Sequence, residues 1–200
     1  MQVVIVSNPD PIPNESTIIN ELFKEGLSVL HLRRPNETVN ELSKLIEEID
    51  EQHHHKIVLH QYFELTEKFK IRGFHLSEKN RLLCTNGKLI EFKLKGLILS
   101  SSVHSIKELH GLVPLFDYTF IGPVFDSISK PNYKPNFDVI GEVDKIMRRN
   151  VAIFGIGGVD HSKLEQMKCF NGVGLLGSIW NNPENAIEEF KKCKSIADTY

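Results

Sequence analysis

Short runs of apolar, mostly β-branched residues recur along the chain, and polar segments with helical periodicity separate them. Runs such as Val3–Ser7 and Gly172–Gly177 lack the strict polar–apolar alternation of a half-exposed sheet. They are typical of buried parallel strands. The predicted strands are Val3–Ser7, Val29–Arg33, Lys56–His60, Gly73–Ser77, Gly96–Ser102, Tyr118–Gly122, Val151–Gly155 and Gly172–Gly177.

The segments between these runs carry helix signals. In Thr38–Gln52 the apolar residues fall on one face, as in an amphipathic helix. Thr38 is a suitable N-cap, and Glu41 three residues later fits a capping box. The other predicted helices are Thr17–Lys24, Phe63–Phe69, Ile106–Leu112, Val139–Arg149, Ser162–Lys168 and Pro183–Ala197.

The alternation of predicted strands with helical crossovers predicts a (β/α)8 TIM barrel, with residues 1–200 forming one compact domain. The fourth connection, from Glu78 to Lys95, is irregular. It carries a turn signal at Asn86-Gly87, and its helix is expected to be short or missing. A doubly wound open sheet stays the structural alternative, because periodicity does not reveal whether a sheet closes.

The composition narrows the classes of function. With 40% hydrophobic residues and a net charge of −2, the chain can bury a core but offers no positive field for nucleic acid or an anionic membrane. No apolar stretch is long enough to span a membrane, and no signal peptide is evident, so a cytoplasmic location is expected. Cys84, Cys169 and Cys193 show neither a disulfide framework nor zinc spacing. The residues His53–His55 are expected to be solvated at a helix end.

Two glycine-rich segments follow the last two strands, where (β/α)8 barrels usually bind phosphate. Gly157 and Gly158 lie after the seventh strand, and Gly177 and Ser178 lie after the eighth. Glycine lets the backbone approach an anion, and a following helix N-terminus supplies free N–H donors. These segments predict a phosphate site, although tight packing in a barrel would also require glycine.

The loop after the sixth strand carries further candidate phosphate ligands. Ser127, Ser129 and Lys130 offer two hydroxyl groups and an ammonium group, which suit a phosphate beneath the loop. The alternative is a flexible polar loop without a ligand. The other candidate substrate-binding residues at strand ends are Arg33, Ser102 and His104.

Five short motifs are spread along the chain, and the match that they belong to extends over nearly its whole length. They are residues 117–125 with Ser129-Lys130, Ile156-Gly157-Gly158-Val159, Gly73-Phe74-His75-Leu76, Ser102-Val103-His104-Ser105 and residues 29–33. Together they resemble the thiamine phosphate synthase and thiazole tautomerase superfamily. In that superfamily the synthase joins a pyrimidine diphosphate to a thiazole phosphate with Mg²⁺, and the tautomerase moves a proton on a thiazole carboxylate phosphate without a metal. The residues that the resemblance implies for the thiazole phosphate are Ser127, Ser129, Lys130, Gly158 and Gly177.

The metal side of the site departs from the family pattern. Gln61 and Asn80 stand where the family has aspartates that bind Mg²⁺. Neutral amide oxygens are weak substitutes for carboxylates, and Glu78 is the residue that could stand in for one of them. Mg²⁺ is therefore left open, and no other cofactor is indicated. Pro123 occupies the place where some tautomerases carry a histidine.

Histidines are the main remaining candidates for acid–base chemistry at the ends of the predicted strands. His31 or His60 is hypothesised to do acid–base work on a thiazole-type phosphate, because imidazole transfers protons near neutral pH. The alternative is that these histidines hydrogen-bond neutral substrate groups or each other. His75 is interpreted as structural, since its motif is shared across the superfamily. A zinc site is disfavoured because no close histidine pair lies on one predicted element.

The predicted function is thiamine phosphate synthesis or a tautomerase-like proton transfer. The alternative is a catalytically silent member that binds or senses a thiazole or thiamine phosphate. The expected partner is a small phosphate-bearing molecule, with no nucleic acid and no membrane, and self-association into a homo-oligomer is left open.

Overall fold

A computed structural model describes residues 1–126, 135–147 and 150–200. In it, parallel strands close into a barrel in which each strand pairs with its neighbours in sequence and β1 pairs with β8. The strands are β1 (Gln2–Val6), β2 (Leu30–Leu32), β3 (Ile57–Leu59), β4 (Gly73–Leu76), β5 (Ile98–Val103), β6 (Tyr118–Ile121), β7 (Ala152–Ile156) and β8 (Gly172–Leu175). The predicted (β/α)8 barrel is confirmed, and the open sheet is excluded.

Successive residues of each strand point alternately into and out of the barrel. Ile5 belongs to a large apolar cluster that joins the strands to the helices, whereas Val4 and Val6 belong to a second, smaller cluster. The buried members of the smaller cluster are Val4, Val6, Val29, Val58, Tyr118, Phe120 and Phe154. The alternation assigns this smaller cluster to the barrel interior.

Two glycines on β8 make room for the interior aromatic rings. A Cβ atom at Gly174 would lie 3.0 Å from the ring of Phe120. A Cβ atom at Gly172 would lie 2.6 Å from the ring of Phe154, closer than van der Waals contact allows. The rings of Phe120 on β6 and Phe154 on β7 thus fill the interior space that the glycines of β8 leave.

The helices cover the outside of the barrel. Thr38 caps α2 through the predicted capping box, in which its side chain accepts from the Glu41 N–H and the Glu41 carboxylate accepts from the Thr38 N–H. The α-helices are α1 (Glu15–Lys24), α2 (Val39–Glu48), α3 (Leu65–Phe69), α4 (Glu78–Leu83), α5 (Asn86–Leu94), α6 (Ile106–His110), α7 (Val139–Asp144), α8 (Gly177–Trp180) and α9 (Ala186–Ala197). Short 3₁₀ helices span Glu51–Lys56, His161–Met167 and Pro183–Asn185. Throughout the described ranges, no helix is both long and apolar enough to cross a membrane.

The fourth crossover contains two short helices, α4 and α5. Ser77 caps α4, and Thr85 caps α5 by accepting from the N–H of Lys88. The predicted turn at Asn86-Gly87 is therefore wrong, because the Thr85 cap makes this dipeptide the first turn of a helix. Extended backbone at Cys84 separates the two helices.

The prediction that the triple histidine is solvated is wrong for His53 and His54. The His54 Nε2–H donates to the carbonyls of Ile46 and Ile49, at 3.0 and 2.9 Å, where α2 ends. The His53 ring stacks on Phe23 with centroids 4.7 Å apart. Both rings are buried because they close the end of α2 against the neighbouring helix.

A buried ion pair links α1 to the segment after β2. The Arg34 guanidinium is fully buried and pairs with Glu15, which is 5% exposed. Arg34 Nη1 also donates to the Ser7 hydroxyl at 3.2 Å, which connects the pair to the end of β1. A buried charge is tolerated only when it is paired with an opposite charge. The ion pair of Arg34 therefore fixes the backbone next to Arg33.

Candidate functional site

An open cavity of about 450 Å³ lies at the C-terminal mouth of the barrel. This volume suits a small ligand, and the C-terminal mouth is where this fold places its chemistry. The sequence-predicted residues on its wall are Arg33, His60, Glu78, Ser102, His104 and Gly157. The structure thus brings together predicted residues from the ends of five different strands.

Three histidines cluster beside this cavity. His31 Nδ1 lies 3.0 Å from His60 Nε2, and the rings of His60 and His75 stack with centroids 4.2 Å apart. His60 and His75 line the cavity, whereas His31 is fully buried behind them. A ligand would meet His60 directly and His31 only through His60.

All three imidazoles are neutral at ordinary pH. Burial lowers the pKa of His31 and of His60 well below the usual histidine value, and the neighbouring His75 adds to the effect. Burial, with a smaller contribution from Arg33, lowers the pKa of His75 to about 3. Each ring therefore carries one N–H donor and one acceptor nitrogen.

Serine and tyrosine hydroxyls inside the barrel extend the histidine cluster. The Tyr118 hydroxyl lies 2.6 Å from His31 Nε2. Ser100 Oγ lies 2.9 Å from His75 Nδ1, and Ser102 Oγ lies 3.0 Å from His75 Nε2. The polar side chains thus form two hydrogen-bonded groups, one of His60, His31 and Tyr118 and one of Ser100, His75 and Ser102.

Sequence reasoning missed Ser100 and Tyr118 as site residues. The barrel register places them side by side, with His75 next to Ser100 on the other flank. Ser100 and Ser102 are two residues apart on β5, so both point into the barrel. The alternation of inward and outward side chains along β5 could have identified both serines. It was overlooked because the whole segment was interpreted as a strand buried on both faces.

The glycines after β7 are explained by packing between loops. Gly157 lines the cavity with a φ of +97°, and a Cβ atom there would lie 2.8 Å from Pro123. Gly158 has a φ of +69°, and its Cβ atom would lie 2.2 Å from the carbonyl oxygen of Asp126. Packing against the loop after β6 thus accounts for both glycines, and their role in holding phosphate stays a prediction.

Some of the remaining predicted phosphate ligands lie off the described cavity wall, and the others lie outside the described residues. Gly177 begins α8, and the buried hydroxyl of Ser178 has no hydrogen-bond partner among the described residues. A buried hydroxyl ordinarily has a partner, and a ligand oxygen could supply one. Gly158, Gly177 and Ser178 are not on the described cavity wall. Ser127, Ser129 and Lys130 lie outside the described residues.

The donor set of the cavity does not fit Mg²⁺. Gln61 donates its amide N–H to the Arg34 carbonyl, and Asn80 is exposed in the first turn of α4. Among the described wall residues, Glu78 supplies the single carboxylate, and its Oε2 lies 3.9 Å from His104 Nε2. Mg²⁺ prefers several hard, mostly anionic oxygen ligands, which these residues do not provide.

The histidine cluster is compact enough for a transition metal, but its surroundings disfavour one. The candidate nitrogens of His31, His60 and His75 lie within 4.8 Å of one another. However, both ring nitrogens of His31 and of His75 already contact protein groups. Arg33 and Arg72 also place positive charge close to these rings. Hydrogen bonding therefore explains the cluster better than metal ligation.

Comparisons with known proteins agree with the fold and the motifs. A family model described as thiamine monophosphate synthase matches residues 3–174. A curated thiamine-phosphate synthase of Pelagibacter ubique (strain HTCC1062) is 25% identical over 201 residues, covering 96% of this chain and 95% of that protein. A thiamine-phosphate synthase of Prochlorococcus marinus (strain AS9601) is 26% identical over 170 residues, covering 84% of this chain and 45% of that protein.

Solved structures give the same picture. A thiamine phosphate pyrophosphorylase from Bacteroides thetaiotaomicron has a TM-score of 0.78 and 29% identity, covering 99% of this chain and 98% of that chain. A second one, from Pyrococcus furiosus, has a TM-score of 0.79 at 14% identity, with 99% of this chain and 96% of that chain covered. The latter likeness concerns the fold alone.

Proposed function

Because the chain belongs to the thiamine monophosphate synthase family, we propose that it binds a thiazole phosphate at the barrel mouth and transfers a proton on it without a metal ion. One observation carries this proposal. The neutral ring of His60 stands on the wall of a cavity whose donor set does not suit Mg²⁺. A general base must be unprotonated and must lie where a ligand can reach it. The lowered pKa of His60 and its place on the cavity wall support this role.

The cavity also suits the anionic parts of such a ligand. Arg33 on the wall offers a fixed positive charge and several N–H donors to a phosphate or carboxylate. The Ser178 hydroxyl, which has no hydrogen-bond partner among the described residues, lies in α8, directly after β8, where this fold commonly binds phosphate. We propose that Ser127, Ser129 and Lys130 complete the phosphate site, on the strength of the sequence motif.

One incubation separates the candidate reactions. The purified protein is mixed with thiazole carboxylate phosphate and pyrimidine diphosphate, with Mg²⁺ or with EDTA, and both isomerisation and thiamine phosphate are followed. We expect isomerisation that continues in EDTA. A rise in melting temperature with thiazole phosphate is also expected, and its failure to appear would overturn the binding site.

Charge-removing variants test the proposed phosphate ligands. Arg33→Ala and Lys130→Ala should each weaken thiazole phosphate binding by about tenfold or more, since each removes one charge-assisted contact. Lys88→Ala removes an exposed lysine of α5 and serves as the control. Equal affinity of Lys130→Ala and the control would take Lys130 out of the site.

Thiamine phosphate synthesis is the second candidate. The curated relatives carry that name, and Arg33 and Glu78 both stand on the cavity wall. Thiamine phosphate formed with Mg²⁺ and abolished by EDTA would establish it in place of metal-free proton transfer. Binding without either reaction would identify a silent member that binds or senses its ligand.

A further inference from the structure

Backbone hydrogen bonds join the loops that follow β6 and β7. The Val124 N–H donates to the Ile156 carbonyl and the Phe125 N–H donates to the Gly157 carbonyl, both at 3.0 Å. The pairing of the two strands therefore continues past their ends, to the level of Gly157. Gly158 lies just beyond this pairing, where a Cβ atom would lie 2.8 Å from Cβ of Phe125. These backbone bonds do not fix the conformation at Gly158, so another contact must do so.

Lys163 makes that contact. Its ammonium group donates to the Gly158 carbonyl at 2.7 Å and to Asp160 Oδ2 at 3.0 Å. The same ammonium group lies 5.5 Å from the centre of the Phe125 ring, within the range of a cation–π interaction. One side chain thus contacts the segment after β7 at two points and the loop after β6 at a third.

The backbone that carries Lys163 is anchored to the outer layer of helices. Lys163 belongs to the 3₁₀ helix His161–Met167, which buries Leu164 completely. At the start of this helix, the N–H and Nδ1 of His161 contact the two carboxylate oxygens of Glu189 on α9, at 3.0 and 2.7 Å. Lys163 therefore reaches the two loops from a fixed position.

The peptide bond between Gly158 and Val159 links this contact to the candidate phosphate site. This peptide is trans, so its carbonyl and its N–H point in opposite directions. Because Lys163 binds the Gly158 carbonyl on one side, the Val159 N–H faces the other side. Val159 is 3% exposed, and its N–H has no hydrogen-bond partner among the described residues. A buried N–H ordinarily has a partner, and a ligand oxygen can fill that role.

We propose that Lys163 is a positioning residue of the phosphate site, which binds the Gly158 carbonyl and thereby directs the Val159 N–H toward the phosphate group of the ligand. This inference rests on the proposed function, in which a thiazole phosphate binds at the barrel mouth. It goes beyond that function because Lys163 lies off the described cavity wall and acts on the ligand only through the backbone.

The charge balance around Lys163 distinguishes this role from direct phosphate binding. Asp160 pairs with the ammonium group, and the Gly158 carbonyl and the Phe125 ring contact it as well. Because the neighbouring carboxylate offsets the positive charge, Lys163 attracts an added anion less than an unpaired lysine would. Its contacts therefore suit a side chain that holds the backbone.

Substitutions of Lys163 separate its polar contacts from its size. Lys163→Met keeps a long side chain but removes the N–H donors and the charge, whereas Lys163→Arg keeps both. The matched control is Lys192→Met, which removes the same charge from an exposed ion pair with Glu188 on α9. Melting temperatures and circular dichroism establish that each variant is folded, and Lys163→Gln replaces Lys163→Met if the latter does not fold.

Binding and turnover are measured separately. We expect Lys163→Met to weaken thiazole phosphate binding by about tenfold or more, because the ligand loses a hydrogen bond to a charged group. The rate of isomerisation at saturating thiazole carboxylate phosphate should stay within about twofold of the wild type, as for a residue that affects binding alone. Lys163→Arg and Lys192→Met should bind like the wild type. Equal affinities of Lys163→Met and Lys192→Met would overturn the proposal.

The amide signal of Val159 tests the proposed donor without relying on the thiazole ring. Titration with thiazole phosphate, or with inorganic phosphate as a second probe, should shift the ¹H signal of this amide downfield in the wild type and leave it nearly unmoved in Lys163→Met. If thiazole phosphate does not bind while inorganic phosphate shifts the signal, the proposed function fails and the role of Lys163 stands. A Val159 signal that responds to neither probe, or that responds equally in Lys163→Met, overturns the role of Lys163.

Discussion

The Tyr118 hydroxyl lies 2.6 Å from Nε2 of His31, a residue 87 positions earlier in the chain. This contact joins β6 to the middle of β2 across the barrel, so strands that are not neighbours in the sheet are held together by polar side chains. The contact is therefore expected to support stability as well as chemistry.

Tyr118→Phe should lower the free energy of unfolding by about 1–3 kcal/mol, because it leaves a buried ring nitrogen without a partner. Urea unfolding measures this change, with Tyr200→Phe as the control at an exposed tyrosine. A loss no larger than that of Tyr200→Phe would contradict the contribution of the buried contact to stability.

The buried histidines predict a loss of stability in mild acid. Their folded pKa values lie below the unfolded value of about 6.5, so the unfolded chain binds more protons as the pH falls. Below about pH 6.5 the free energy of unfolding should fall by about 1.4 kcal/mol per pH unit for each such histidine. Urea titrations between pH 7.5 and 5 measure the slope.

Replacing one histidine at a time shows which residues cause the dependence of the unfolding free energy on pH. His60→Gln should lower the slope of unfolding free energy against pH by the contribution of about one bound proton. The raised pKa of Glu15 acts with the opposite sign, since its contribution to stability is lost as pH rises. Comparing each variant with the wild type at the same pH cancels that contribution. A slope unaffected by His60→Gln would contradict a neutral His60.

The buried ion pair predicts a large effect from a residue far from the cavity. Glu15→Ala removes one of the two carboxylates that pair with the buried Arg34 guanidinium and leaves Glu37, whose Oε1 lies 3.2 Å from Arg34 Nε. It should lower the free energy of unfolding by about 1–3 kcal/mol. Glu188→Ala breaks a solvent-exposed pair with Lys192 and should give no measurable change. Similar losses of unfolding free energy in Glu15→Ala and Glu188→Ala would show that burial of an ion pair does not determine how much it stabilises the fold.

Gly158→Ala tests the contact between the loops after β6 and β7. The new Cβ atom would lie 2.2 Å from the Asp126 carbonyl oxygen, so the loops must separate. Affinity for thiazole phosphate should fall by about tenfold or more, which calorimetry measures. Gly96→Ala is the control, because its φ of +78° imposes the same backbone strain with open space around the new atom. Equal effects in the two variants would attribute the loss to strain alone.

The fold could be predicted well from local patterns. Buried parallel strands give apolar runs, and the cap of α2 depends on only two residues, Thr38 and Glu41, which lie three positions apart. The turn expected at Asn86-Gly87 failed because the hydroxyl of the preceding Thr85 stabilises a helix start. Dipeptide signals are overridden in this way whenever a neighbouring side chain satisfies the backbone N–H groups.

The site was predictable only in part. Strand ends identified His60, Ser102 and Gly157, because their position follows from the topology alone. The contacts of His31 and Tyr118 depend on which side chains share one layer inside a closed barrel, and that layer draws on strands far apart in sequence. Likewise, the burial of His53 follows from a helix packing that no local pattern reports.

A substitution at Gly174 on β8, by evolution or by design, would change the packing of the barrel interior next to the histidines. Gly174 leaves the space that Phe120 occupies, and the Phe120 ring lies 4.9 Å from that of His31 and 5.6 Å from that of His75. A larger residue at 174 would press Phe120 toward these imidazoles and alter their spacing. The spacing of the histidines at the mouth can therefore be tuned from β8, by a position that is not on the described cavity wall.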